Sequence, residues 1–461
     1  MISRRGFIAA AAGCAGARSA SAAVPYGATP SERQLRWHEL EFTGFLHFTV
    51  NTFTDKEWGY GDENPDIFNP AKFDADAICG ALADARMRGV ILTCKHHDGF
   101  CLWPTKTTEH SVAKSSWRGG QGDVVREIAE AARRRGLKFG VYLSPWDRNS
   151  AEYGKPGYVE IYRRQLTELL TGYGEIFEVW HDGANGGDGY YGGAREKRTI
   201  DKNSYYQWPG TWELVRRLQP GAVIFSDVGP DVRWVGNERG IAGDPCWATF
   251  DPVGADGGPA SPGNVREKES PAGHRHGSKW LPPECDVSIR PGWFWHEREN
   301  ARVKTPNQLV DLFYQSVGRG ATLLLNVPPN RDGLLSAEDV ASLKGFGGYL
   351  RGTFGKDLAA GAKKSVNPAG DVTLDFRRPV SFDVIRIRED IRYGQRIDAV
   401  AVESWSGGQW EAIAQATSVG ARRLIRLEKA VNATRLRVRV TQAAATPLIS
   451  EFAVFAQAAA G

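Results

Sequence analysis

Beyond its first two dozen residues the chain lacks any apolar stretch long enough to cross a bilayer as a helix. Cysteine is sparse, with six in 461 residues and none in CxxC spacing, so a structural zinc site is not expected. Past Cys14 the remaining five (Cys79, Cys94, Cys101, Cys246 and Cys285) are odd in number and lack tight pairing, a poor basis for a disulfide framework. An excess of one charge is also missing: the net charge of +4 makes no case for nucleic acid or a membrane surface as partner. Three catalytic signatures are absent as well. No GxSxG elbow supports a serine nucleophile, no strand-to-helix turn carries the GxGxxG of a dinucleotide site, and the histidines at the strand ends lack HxH or HExxH spacing. The expectation is an active site with no metal and no cofactor.

Tryptophan and glycine are abundant instead, at 15 and 53 residues. Indole faces suit a ligand with flat apolar faces, sugars among them, although a large aromatic core uses the same residues. The length suits two domains. The opening segment MISRRGFIAAAAGCAGARSASAAVP places Arg4 and Arg5 before a short, weakly apolar run and an Ala20-Ser21-Ala22 site, the features of a twin-arginine export signal. Residues 1–22 are therefore expected to be a signal and the mature protein to be periplasmic or extracellular, with lipid anchoring at Cys14 as the alternative.

Strand-length apolar runs then alternate with amphipathic stretches. The runs are FTGFLHF (42–48), GVILTCKHHDGF (89–100), KFGVYLSPWD (138–147), EIFEVWHDGAN (175–185), AVIFSDVGPD (222–231) and ATLLLNVPPN (321–330). Alternation of this kind predicts a parallel sheet buried on both faces. Six clear strands with room for two more fit a (β/α)8 barrel over residues 23–355, a doubly wound sheet being the runner-up. Nearly every run ends in polar or aromatic residues, including His47, His96-His97-Asp98, Tyr142 to Asp147, Trp180-His181-Asp182, Asp227 and Asn326. Barrel strands deliver their carboxyl ends to one face, where active sites sit. From about residue 356 short alternating strands take over, predicting an antiparallel β-sandwich over 356–461. The Gly/Pro-rich stretch 251–279 is expected to form a lid or rim over the mouth.

Paired carboxylates are the chemistry left standing. Glycosidic cleavage needs one carboxylate as nucleophile or base and one carboxylic acid to protonate the leaving oxygen. Glu57, Asp98, Asp147, Asp182, Asp227, Asp231, Glu238, Glu284 and Asp286 are the candidates near the mouth. Asp182 is best placed, ending a buried strand beside Trp180 and before a glycine; its bland alternative is a helix cap. Glu238 follows the next strand beside Trp234, and its bland alternative is an ion pair with Arg233 or Arg239. Asp227, Asp231 and Glu238 remain equal candidates for the acid on this reading. His96 and His97, as neighbours on a strand, are expected to face opposite ways, and paired histidines there can donate hydrogen bonds to ligand hydroxyls.

CKHHDGFCLWPT, VWHDGA and GPDVRWVGNE, within segments running from FTGFLHFTVNTFTDKEWGYG through LLLNVPPNRDG and into the sandwich, resemble glycoside hydrolase family 29, the retaining α-L-fucosidases. The resemblance implies that Asp182 is the nucleophile and Glu238 the acid and base. It implies that His47, Glu57, Trp58, His96, His97, Tyr142, Trp180 and Trp293 line a fucose pocket, and that the substrate is a fucosylated oligosaccharide or glycoconjugate. The RWVGNE segment looks like that of the subfamily acting on α-1,3 and α-1,4 branches. Two departures, His181 and the insert GDGYYGGAREKR (187–198), bear on acceptor contacts, to which PGWFWH (291–296) can also contribute. The C-terminal sandwich resembles the galactose-binding-like modules of these enzymes. Open alternatives are a fucosidase of broad specificity, the same barrel acting on another sugar such as galactose, and a secreted glycan-binding protein with little catalysis.

Overall fold

The computed structural model describes residues 23–460; the expected signal, with Arg4, Arg5 and Cys14, lies outside them. Eight strands close into a barrel: β1 (Phe42–Leu46), β2 (Gly89–Lys95), β3 (Lys138–Leu143), β4 (Glu178–Trp180), β5 (Val223–Ser226), β6 (Val232–Trp234), β7 (Pro283–Ser288) and β8 (Thr322–Asn326). All neighbours run parallel, and β1 closes the ring by pairing Gly44 with Val90 of β2 and Phe42 with Leu323 of β8. Strands such as GVILTCK and TLLLN are buried along their whole length, as a parallel sheet covered by helices requires. The helix Val124–Arg134 shows how the cover forms. Asp123 caps it by accepting from Arg126 N, and Val124, Val125, Ile128, Ala129, Ala131 and Ala132 make its buried face.

The barrel expectation holds and the doubly wound alternative falls, but the helical ring is incomplete. Residues 227–231 join β5 to β6 without a helix, and residues 235–282 join β6 to β7 with no α-helix. The short connection works because it doubles back along β5. Asp231 N donates to Ile224 O (3.2 Å), and its carboxylate accepts from Ile224 N (2.8 Å), which returns the chain to the lower end of β5 before β6 rises. There Asp231 is paired with Arg33 and Arg216. It lies away from the strand tops, and its candidacy as the acid ends.

The C-terminal region is a separate antiparallel sheet of six strands. Its long strands Val372–Glu389 and Arg423–Ala443 break register between Asp375 and Val380. Their outer halves pair with Lys363–Val366 and Ile397–Ser406, and their inner halves meet one another beside Ile449–Phe455. The sheet thus folds over a shared core containing Leu374, Phe382, Ile385, Val400, Leu436 and Val454, consistent with a β-sandwich. It packs on the barrel through Val384, Leu424 and Phe455, and through Gln395, whose amide accepts from Ala248 N (2.9 Å) and donates to Cys246 O (3.0 Å). The cysteines Cys79, Cys94, Cys101, Cys246 and Cys285 are free and buried.

At the top of β2 the Lys95 ammonium is fully buried. It donates to Asp147 (3.1 Å), Tyr158 Oη (3.1 Å) and Gln165 Oε1 (2.9 Å), joining two strand ends to the helix Tyr158–Gly172. Removing one member of such a pair strands the other charge. We expect Lys95→Met to cost about 3–5 kcal/mol, and Lys95→Met/Asp147→Asn to cost less than the single change, as measured by urea denaturation.

Candidate active site at the carboxyl ends of the barrel strands

A cavity of about 610 Å³ opens at the strand tops. Every residue that the family resemblance implies to be catalytic or pocket-lining borders it: Asp182 and Glu238 with His47, Glu57, Trp58, His96, His97, Tyr142, Trp180 and Trp293. Its floor is barrel core. The Trp180 ring stacks on Phe225 with centroids 4.0 Å apart and 9° between planes, and packs against Phe45 and Tyr142. Trp58, 54% exposed, stands at the rim edge-on to His97 and Trp146.

Asp182 follows β4 by two residues and its side chain is 23% exposed. Tyr142 Oη donates to Oδ2 (2.9 Å) and Ala184 N donates to Oδ1 (2.6 Å), so one carboxylate is gripped by a neighbouring strand and by its own turn. The helix-cap alternative is replaced by this tighter turn. Glu238 is an exposed residue on the same cavity and makes no ion pair among the described residues. Its suggested partner Arg233 is buried and spent on the carbonyls of Ser270, Leu281 and Trp247. Partial desolvation of the carboxyl by the cavity walls raises the Glu238 pKa although the residue as a whole is exposed, the Trp293 side chain opposes that shift, and the charges of Asp182 and Glu57 raise it further.

The other carboxyl groups divide by what they hold. Asp98 accepts from Thr49 Oγ1 (2.9 Å) and Phe100 N (2.7 Å), Asp147 pairs with Lys95, and Glu284 accepts from Trp180 Nε1 (2.9 Å); none of these borders the cavity. Asp286 borders it but is bonded to Trp234 Nε1 (2.7 Å). Glu57 is fixed by Trp293 N (2.8 Å) and by His296 Nε2 (2.6 Å). Asp227 borders the cavity too; burial moves its pKa up to about 6, and its Oδ2 accepts from Gly263 N (2.8 Å).

Three expectations need correcting. His96 and His97 both border the cavity, with ring centroids 4.0 Å apart, because β2 ends at Lys95 and strand alternation stops with it. His97 and His47 are also poor donors. Burial lowers the pKa of His47 to about 3 and that of His97 to about 4, and holds His96 well below its usual value, so all three are neutral at pH 7. Asn326 Nδ2 donates to Ser288 Oγ and Trp293 O, so its Oδ1 takes the Nδ1–H of His47 (2.9 Å). Ser144 Oγ donates to Trp146 O and so takes the Nδ1–H of His97 (2.7 Å). The His47 and His97 rings are each left with a bare Nε2 that can accept from a ligand hydroxyl. Finally, His181 and the insert do not reach the cavity. His181 turns outward to Tyr162 Oη (2.7 Å), as a strand neighbour of Asp182 must. The insert forms the hairpin Gly187–Gly189 with Glu196–Arg198, and its Tyr191 Oη accepts from Trp146 Nε1 (3.0 Å).

The 251–279 stretch does form one wall, through Ala255, Gly263, Asn264, Val265 and Glu267. Gly263 is required there: φ is +80° and a Cβ would strike Gly183 O and the Asn185 side chain. The sequence does not single out these residues or Lys202, since loop walls carry no periodicity, nor Phe45 and Phe225, which read there as ordinary strand core.

Beneath Trp180 two fully buried glutamates meet. Trp37 Nε1 donates to Glu178 Oε2 (2.9 Å) and Trp180 Nε1 to Glu284 Oε1 (2.9 Å), leaving Glu178 Oε1 and Glu284 Oε2 without partners. Burial raises both pKa values, and each carboxyl faces the other, so the pair retains a proton near neutrality. Its stability contribution is complete below the ordinary glutamate range and is lost as pH rises through the raised value. Melting temperatures of the wild type are expected to fall from acid to mildly alkaline pH. Glu284→Gln, which supplies a permanent N–H, should flatten that slope in the same melting series.

The sequence matches the α-L-fucosidase family profile over residues 21–353. Alpha-L-fucosidase 1 of Arabidopsis thaliana is 43% identical over 459 residues, covering 92% of this chain and 87% of that protein. A solved glycoside hydrolase 29 family member from an unknown rumen bacterium is 44% identical with a TM-score of 0.87, over 94% of this chain and 78% of the other. A GH29 fucosidase of Ruminococcus gnavus, solved in complex with fucose, is 30% identical with a TM-score of 0.83, over 96% and 97%.

Proposed function

The chain belongs to the α-L-fucosidase family of glycoside hydrolases, and on that premise we propose a retaining, exo-acting enzyme that removes terminal α-1,3- and α-1,4-linked fucose by double displacement. The observation that carries this reading is the placement of Asp182. Its carboxylate is fixed by Tyr142 and Ala184 at the cavity floor, while Glu238 sits on the open side of the same cavity. In the first step an Asp182 oxygen attacks the anomeric carbon while the Glu238 carboxyl passes its proton to the leaving oxygen. In the second, Glu238 as carboxylate takes a proton from water, which displaces Asp182 and releases the sugar with its configuration retained. The bare Nε2 atoms of His47 and His97 accept from sugar hydroxyls, and Trp58, Trp180 and Trp293 cover the apolar parts.

Asp227 is the second reading for the acid, favoured by its raised pKa. Glu238 is preferred because a leaving group departs toward solvent, and Asp227 is already committed to the Gly263 loop. Asp182→Ala should abolish turnover. Glu238→Ala should cost about 10²–10⁴-fold on poor leaving groups, far less on activated aryl fucosides, and be partly rescued by azide. Equal losses on both substrate types would transfer the acid role to Asp227. Activity needs Glu238 protonated, so kcat/KM falls as pH rises through its raised pKa, and that alkaline limb should vanish in Glu238→Gln.

The linkage preference rests on the RWVGNE segment and on the wall of Asn264, Glu267 and Lys202, whose polar groups suit a second sugar beside the fucose. Binding energy from that sugar acts in the transition state. A Lewis-type trisaccharide should therefore exceed both an α-1,2-fucosylated lactose and an aryl fucoside in kcat/KM; equal or faster hydrolysis of the α-1,2 substrate would remove the linkage claim alone. The proposal includes export, on the Arg4-Arg5 segment, which cell fractionation tests.

A further inference from the structure

On the face of the barrel opposite the catalytic cavity a second cavity of about 330 Å³ lies at the joint with the sandwich. The barrel contributes Glu39, Glu41, Arg86 and Arg88, from the segments that lead into β1 and β2; the sandwich contributes Arg386, Arg388 and Arg422. Five guanidiniums thus meet at one place. Arg388 pairs with Glu39, Arg422 with Glu41, and Arg386 with Glu451. Arg86 and Arg88 have no carboxylate partner among the described residues.

Arg422 shows how far donors outnumber acceptors at this joint. Its side chain is 7% exposed, and its Nε–H is buried with no acceptor, a cost that native structures rarely leave standing. The excess positive charge is felt nearby. The buried His38 has its pKa lowered to about 3, first by desolvation and then by the charges of Arg388 and Arg422. The space is far more than a water's share of about 30 Å³.

We propose that this cavity is a binding site for a free multivalent oxyanion of the phosphate or sulfate class, held between Arg86 and Arg88 of the barrel and Arg386, Arg388 and Arg422 of the sandwich. Guanidinium forks match the paired oxygens of such an ion and bind it by charge-assisted hydrogen bonds. The ion offsets the charge by which the five guanidiniums exceed their carboxylate partners. Because its ligands come from both units, binding tightens the joint, and the effect is on stability, not on catalysis.

The test uses the full chain and inorganic phosphate. At fixed ionic strength, phosphate and sulfate should raise the melting temperature along a saturable curve, and chloride should not. Arg86→Gln/Arg88→Gln changes two exposed residues far from the catalytic cavity. It should leave aryl-fucoside hydrolysis unchanged and weaken phosphate binding by about tenfold or more, read by calorimetry. Arg422→Lys keeps the charge but removes the fork, and should lose binding even where the protein folds normally. An identical rise with chloride, or phosphate binding that is unaltered in the double variant, overturns the proposal.

Discussion

The parallel register that closes the barrel, running from Phe42 against Leu323 to Gly44 against Val90, sends eight strand ends to the same side. Residues that are far apart in sequence meet there for that reason alone. Asp182 lies two residues beyond β4, His47 one beyond β1, and Asn326 at the end of β8, and the hydrogen bonds among His47, Asn326 and Ser288 tie neighbouring strands at one level. The interior below is not purely apolar. Glu178 and Glu284 lie in it, made tolerable by indole donors on both sides and by a retained proton. The closure therefore does two jobs. It brings the Asp182 carboxylate to the cavity and surrounds the floor beneath it with groups that have no room to move.

The electrostatics of the cavity follow from the same burial. Its histidines are neutral, Lys202 is the one lysine or arginine among its lining residues, and carboxyl groups ring the opening. Such a surround suits a neutral ligand in the ground state. In the proposed reaction it stabilises positive charge as that charge develops on the sugar ring, which is where electrostatic stabilisation contributes to rate.

Much of this was legible in the sequence, and the failures have physical causes. Long buried strands such as GVILTCK announce themselves by continuous apolarity, and the abrupt polar endings marked the mouth. β6 and β7 were hidden: VRW is three residues long, and PECDVS alternates carboxyl groups into the barrel interior where aliphatic residues are the usual signal. The strand alternation expected of His96 and His97 failed because the strand had already ended, whereas the same rule accounts for His181, which does face away. Asp231 passed for a mouth residue because a doubled-back chain reverses its height without leaving a mark in composition. Loop residues such as Asn264 and Glu267 were signalled only as part of the Gly/Pro-rich 251–279 stretch; the fold alone singles them out at the cavity.

The cavity has two kinds of boundary, a floor taken from the barrel core and a wall lent by the 251–279 stretch. Trp180, Phe225 and Tyr142 pack with one another and with Phe45, so a change in any of them is felt first as lost stability. Asn264 and Glu267 rest on a segment with one 3-10 turn (Glu267–Glu269), no α-helix and little sheet, leaning on the barrel at contacts such as Gly263 with Asp227. Drift in the two is consequently unequal. A change in the wall alters what fits beside the floor at little cost to folding, whereas a change in the floor is first a change in the barrel core.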